Sequence, residues 1–104
     1  MQIIKEVYTY GFKEKKLDKI IKKVKKGKKV WGLHLVVLPL FQDGLMEIYR
    51  YDQLLQPFYR SMSEKICVIG LAKNKAFAQN IVVDVIQGMC DAGVDFDVKG
   101  FLRI

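Results

Sequence analysis

Ten lysines, two acids and no arginine fill the stretch KEKKLDKIIKKVKKGKK, which runs from Lys13 to Lys29. Clustered ammonium groups attract phosphates and carboxylates. They act as point charges and lack the planar fork with which arginine reads a guanine edge. At about 100° per residue, Lys15, Lys19, Lys22, Lys23 and Lys26 fall opposite the apolar stripe Leu17, Ile20, Ile21 and Val24, so the lysines follow helical geometry. The plain reading is the solvated side of an amphipathic helix. Solvated faces usually mix signs, however. Here Lys15–Lys19, Lys19–Lys23 and Lys22–Lys26 are like-charged neighbours, each costing a few tenths of a kcal/mol, and Asp18–Lys22 alone offsets them. A one-sign face is the footprint of an anionic partner, nucleic acid or an acidic protein surface. A membrane surface fits less well, because the apolar stripe Leu17, Ile20, Ile21 and Val24 is narrow and contains no Trp or Phe anchor.

A second stretch, YRYDQLLQPFYR, places Tyr49, Tyr51, Phe58 and Tyr59 among Arg50 and Arg60. Aromatic rings beside guanidinium groups can stack bases while the cation holds phosphate. The same residues can equally pack the segment against a core, each phenol reaching a hydrogen bond at the rim. Catalytic chemistry is harder to assemble. His34 is the chain's one histidine and sits between Leu33 and Leu35, which reads as a satisfied core residue. No second histidine or paired cysteine stands at metal-ligand spacing, and no Walker loop, GxGxxG or GxSxG occurs. Asp95 and Asp97 share a parity that a general acid–base pair would use, but Lys99 and Arg103 continue it as a charge ladder. Cys67 and Cys90 lie in apolar runs and read as buried free thiols. The sequence thus supports neither an enzyme nor a cofactor or metal site.

The elements that must position these groups follow from hydrophobic period. QIIKEVYTYG reads as a strand with Ile4, Tyr8 and Tyr10 on one side and Ile3 and Val7 on the other, or as an extension of the next helix. A helix covers residues 12–26 and stops at Gly27. VWGLHLVVL and KICVIGLA are apolar on both faces and predict central strands. Between them, FQDG predicts a hairpin turn into LMEIYRY, and DQLLQPFYRSMSE an irregular connection around Pro57. Asn74 caps a helix over residues 75–92 that Gly93 ends. VDFDVKGFLRI alternates, and predicts a final strand.

The order β-α-β-β-β-α-β predicts one α+β domain over residues 1–104. It would be a two-layer sandwich with two helices on one face of a mixed, mainly antiparallel sheet, akin to a split βαβ plan. The second helix is apolar around most of its girth, so Val82, Ile86 and Met89 are expected to form a homodimer face. The net charge of +7 resides in residues 13–29, which carry +8 while the other 87 residues carry −1. MQIIKEVYTYG lacks the apolar core of a signal peptide, and no uncharged run approaches the ~20 residues of a membrane span. The expected setting is the cytoplasm. The leading expectation is a non-catalytic module acting through protein contacts, homodimeric. The alternative is a nucleic-acid-associated protein using the basic helix without sequence preference. A small-ligand pocket along residues 50–65 is a third.

Overall fold

One mixed sheet organises the chain, with strands Gln2–Tyr10 (β1), His34–Val37 (β2), Glu47–Arg50 (β3) and Cys67–Ala72 (β4) in the order β1-β4-β2-β3. The computed structural model describes residues 1–41 and 43–104; Gln42, within the expected FQDG turn, lies outside the described residues. β2 and β3 pair antiparallel as a hairpin, β2 and β4 pair antiparallel, and β1 runs parallel to β4. Both runs expected to be central are central, since β4 and β2 each have a strand on either side. β1 is a strand, and its two sides divide as expected: Ile3 and Val7 pack on one cluster, Ile4, Tyr8 and Tyr10 on the other.

The helices are Glu14–Lys25 (α1), Tyr51–Leu54 (α2), Pro57–Arg60 (α3), Lys75–Ala92 (α4) and Val98–Leu102 (α5). α1 buries Ile20 and Val24. It ends at Gly27, whose φ of 69° allows the Gly27 and Lys28 amides to reach back to the Val24 and Lys23 carbonyls. α4 begins where Asn74 accepts the Phe77 amide at 2.9 Å and ends in the same way at Gly93. The connection after β3 forms two single-turn helices, with Pro57 opening the second.

The α+β class and the mixed sheet are as the sequence implied, and the radius of gyration, 13.2 Å, matches the ~13 Å of a compact chain of this length. The position of the helices differs from expectation. Adjacent residues of β2 point in opposite directions, Leu35 and Val37 into one core cluster, Val36 and Leu38 into another. α1 and α2 cover the first cluster through Ile20, Val24, Tyr51 and Leu54; α4 covers the second through Ala78, Ile81, Val85 and Met89. The two long helices therefore lie on opposite faces. Each of these fully buried Leu, Ile or Val side chains contributes ~1.5–3 kcal/mol relative to exposure. Gly70 of β4 lets α4 approach, because a Cβ there would lie 2.8 Å from the Ile81 Cγ2.

Three further expectations are corrected. The final segment is not a strand. Asp97 caps α5 by accepting the Gly100 amide at 3.2 Å, and Val98, Phe101 and Leu102 follow the i, i+3, i+4 spacing of a helix. Phe101 broke the apparent alternation, while Val94 and Phe96, its supposed inward residues, are exposed. Second, Met89 is fully buried beneath α4 and cannot form a dimer face, and Val82 and Ile86 are partly buried against the same cluster. The surplus apolar surface of α4 faces α5, where Phe101 lies over Gly88, and it leaves Val83 exposed. Third, Cys90 is exposed instead of buried; Cys67 is partly buried, and burial raises its thiol pKa, with Lys99 opposing.

Candidate functional site

The strand expected from Val30 begins only at His34, and the residues before it form a turn through Trp31 and Gly32. Gly32 has φ of 73°, a conformation that a side chain resists, and that reversal points the preceding residue outward. His34 braces the turn: its Nδ1 lies 2.9 Å from the Gly32 carbonyl oxygen. A carbonyl only accepts, so Nδ1 is the donor of this bond and Nε2 is left facing away from it. The result is that Trp31, the chain's one tryptophan, has its whole side chain in solvent, at 101% of reference accessible area. An unburied indole is an unusual use of the most hydrophobic surface a side chain can offer.

Trp31 stands on the lip of a groove of about 490 Å³ between the turn and α1. Phe12, Ile20 and Val30 line its apolar part. Its charged lining is Lys15, Lys16, Lys19, Lys23 and Lys73, with no acid among them. Helical spacing explains the set: residues 16, 19 and 23 form one flank of α1, beside the buried stripe of Ile20 and Val24, and Phe12 precedes the helix. Lys73 arrives from the end of β4, where its amide donates to the Tyr10 carbonyl at 3.1 Å. Close packing at that crossing is possible because residue 11 is glycine; a Cβ there would lie 2.7 Å from the Lys73 Cβ.

Of the expected anion contacts, Lys15, Lys19 and Lys23 line this groove, whereas Lys22 and Lys26 are exposed on α1 outside it. Lys16, Lys73 and Trp31 were missed. The available signal was Gly32, a glycine that directly follows an aromatic inside a largely apolar run.

A second groove, of about 570 Å³, shares Val30 and Trp31 with the first. Its polar lining is Lys29, His34, Arg50 and Asp52, and an Arg50–Asp52 ion pair of 3.6 Å sits in it. Both side chains of that pair are about two-thirds exposed, so the pair contributes little to stability.

The expected stacking patch does not assemble as one unit. β3 alternation places Tyr49 on the α1 side and sends Arg50 toward the second groove. Tyr51 is fully buried, its hydroxyl donating to the Lys28 carbonyl oxygen at 2.7 Å. Arg60 is spent on backbone, donating from Nε to the Leu55 carbonyl at 2.6 Å and from Nη2 to that of Gly27 at 3.4 Å. Tyr49, Phe58 and Tyr59 do come together, joined by Phe41, with Phe58 and Tyr59 rings 5.1 Å apart and Phe41 and Phe58 rings 5.9 Å apart. This is an aromatic cluster without its arginines.

No family model, curated protein or solved structure matches this chain. The chemistry of the site must therefore be read from its own residues. Among the described residues, no group of three or more His, Cys, Asp or Glu side chains is placed to hold a metal ion. No helix among them is long and apolar enough to cross a membrane. Of Asp95 and Asp97, considered as an acid–base pair, Asp97 is occupied as the α5 cap. What the two grooves present is a dense cationic wall, an exposed indole and a small mixed polar set.

Proposed function

We propose that this chain binds nucleic acid, with the lysines of the α1 groove contacting phosphates. The observation that carries this reading is the placement of a fully exposed Trp31 on a groove whose charged lining is lysine alone. Ammonium groups on α1 repel one another in the free protein, and a polyanion relieves that repulsion while releasing its own counterions. Lysine wall and absent arginine fork together give phosphate contact without duplex base readout.

Salt dependence tests it. With four or five phosphates neutralised, log affinity for a single-stranded oligonucleotide falls against log salt with a slope of about −3, from ~0.7 per phosphate. Lys15, Lys16, Lys19 and Lys23 changed together to Gln flatten that slope. The pair Lys22→Gln and Lys26→Gln, outside the groove, has a far smaller effect. Absence of binding at low salt rejects the proposal. An anionic lipid surface offers the same charge, and Trp31 supplies an anchor that the helix itself lacks. A lone indole flanked by polar Arg50, Asp52 and His34 is poorly suited to insertion, which favours the nucleic acid.

A second reading, self-association or contact with another protein, draws support from Phe41 and Phe58, whose rings lie 5.9 Å apart and which are 56% and 62% exposed. Light scattering at high concentration tests self-association; a monomeric mass under those conditions rejects the homodimer.

A further inference from the structure

We infer that the nucleic acid is held as a single strand, with one unpaired base stacked on Trp31 and its edge in the groove of His34, Arg50 and Asp52. The inference rests on the lysine groove being a phosphate site and goes beyond it in assigning each groove a different part of the nucleotide. Trp31 belongs to the lining of both grooves, so a nucleotide stacked on it can place its phosphate in one and its base edge in the other.

Charge decides which side is which. The α1 groove carries five cations and no acid, which suits phosphate. The other groove contains Asp52, whose carboxylate repels phosphate but accepts hydrogen bonds from base N–H groups. Arg50 beside it donates, and His34, with Nδ1–H committed to the Gly32 carbonyl, has Nε2 free for a base edge, as an acceptor in the neutral ring and a donor in the charged one. Donors and acceptors close together form the lining that a base edge requires and a phosphate does not.

A base within a duplex has both faces stacked on its neighbours, so it cannot cover an indole that projects from a turn. An unpaired base can, and such stacking raises affinity by roughly tenfold or more per base. The lysines contribute to either form, which makes Trp31 the group that distinguishes them.

Because Trp31 is the sole tryptophan, its emission reports the stack directly. The test titrates the full chain with a single-stranded 12-mer of DNA, the same sequence as a duplex, and phosphatidylserine vesicles, following both indole emission and the anisotropy of labelled oligonucleotide. The expected result is quenching by the single strand and roughly tenfold weaker duplex binding. Trp31→Ala loses that advantage with duplex affinity and salt slope unchanged, and Trp31→Phe retains most of it. Asp52→Asn, at a surface position, alters the affinity ranking among the four homopolymers and leaves the salt slope alone. Equal affinity for both forms, binding without quenching, or a Trp31→Ala variant that binds the single strand normally overturns the inference while leaving phosphate contact standing. An oligonucleotide anisotropy that never changes removes the phosphate site itself, and an emission shift with vesicles alone assigns the surface to lipid and overturns both.

Discussion

The Tyr51 hydroxyl donates to the Lys28 carbonyl oxygen at 2.7 Å, from a side chain with no solvent exposure. This bond joins the first residue of α2 to the segment leaving α1, and so fixes the base of the turn that carries Trp31. Tyr51→Phe keeps the packing and leaves the Lys28 carbonyl without that partner, which costs about 1–2 kcal/mol. In urea unfolding the midpoint falls with the slope unchanged. An unaltered midpoint would show that water replaces the phenol at no cost.

Alkaline pH acts on the same face of the sheet. Burial, followed by the charge and hydrogen bond of Glu47, pushes Tyr49 up to about 12. Burial also raises Tyr51. A phenol whose folded pKa exceeds its unfolded value near 10 favours folding fully below pH 10 and loses that contribution as pH climbs toward 12. Tyrosinate absorbance of the wild type should show a late-titrating phenol that Tyr49→Phe removes. Compared at equal pH, the variant loses less stability across that interval, a comparison in which the lysines cancel.

The fate of α4 separates core from surface. Met89 is fully buried and Val83 is 61% exposed, six residues apart on one helix. Met89→Ala should cost ~2–5 kcal/mol by opening a cavity. Val83→Lys should change stability by no more than ~0.5 kcal/mol. Light scattering of Val83→Lys should give the wild-type mass; a smaller mass would establish the outer side of α4 as an interface between copies.

What the sequence made legible was what local period and caps determine. Asn74 and Gly93 bounded α4 to the residue, Gly27 ended α1, and the doubly apolar β2 and β4 proved central. Which face each helix covers was not legible, because a strand apolar on both sides accepts a helix on either. Tyr51 and Arg60 had the composition of a stacking site, yet the Tyr51 hydroxyl is engaged by the Lys28 carbonyl, and Arg60 Nε and Nη2 by those of Leu55 and Gly27. Trp31 was misread for a related reason: Val30 to Leu38 is apolar apart from Gly32 and His34, and the positive φ of Gly32 converts its start from strand to turn.

Gly32 therefore offers the sharpest test of how the site is built. A Cβ at Gly32 would lie 3.8 Å from the Lys73 carbonyl oxygen, an ordinary contact, so Gly32→Ala meets no steric obstacle. It meets a conformational one: at φ of 73° an L side chain costs ~1–2 kcal/mol. The turn can relieve that strain only by rotating, and rotation withdraws the Gly32 carbonyl from His34 and moves Trp31 out of the shared lining of the two grooves. The chain should remain folded, with a urea midpoint lowered by an amount equivalent to ~1 kcal/mol. Single-strand affinity should drop by several-fold and duplex affinity should hold, because the lysines of α1 stay in place. Equal losses for both forms would mean that the turn shapes the lysine groove as well, and unchanged single-strand affinity would mean that Trp31 does not depend on Gly32 for its position.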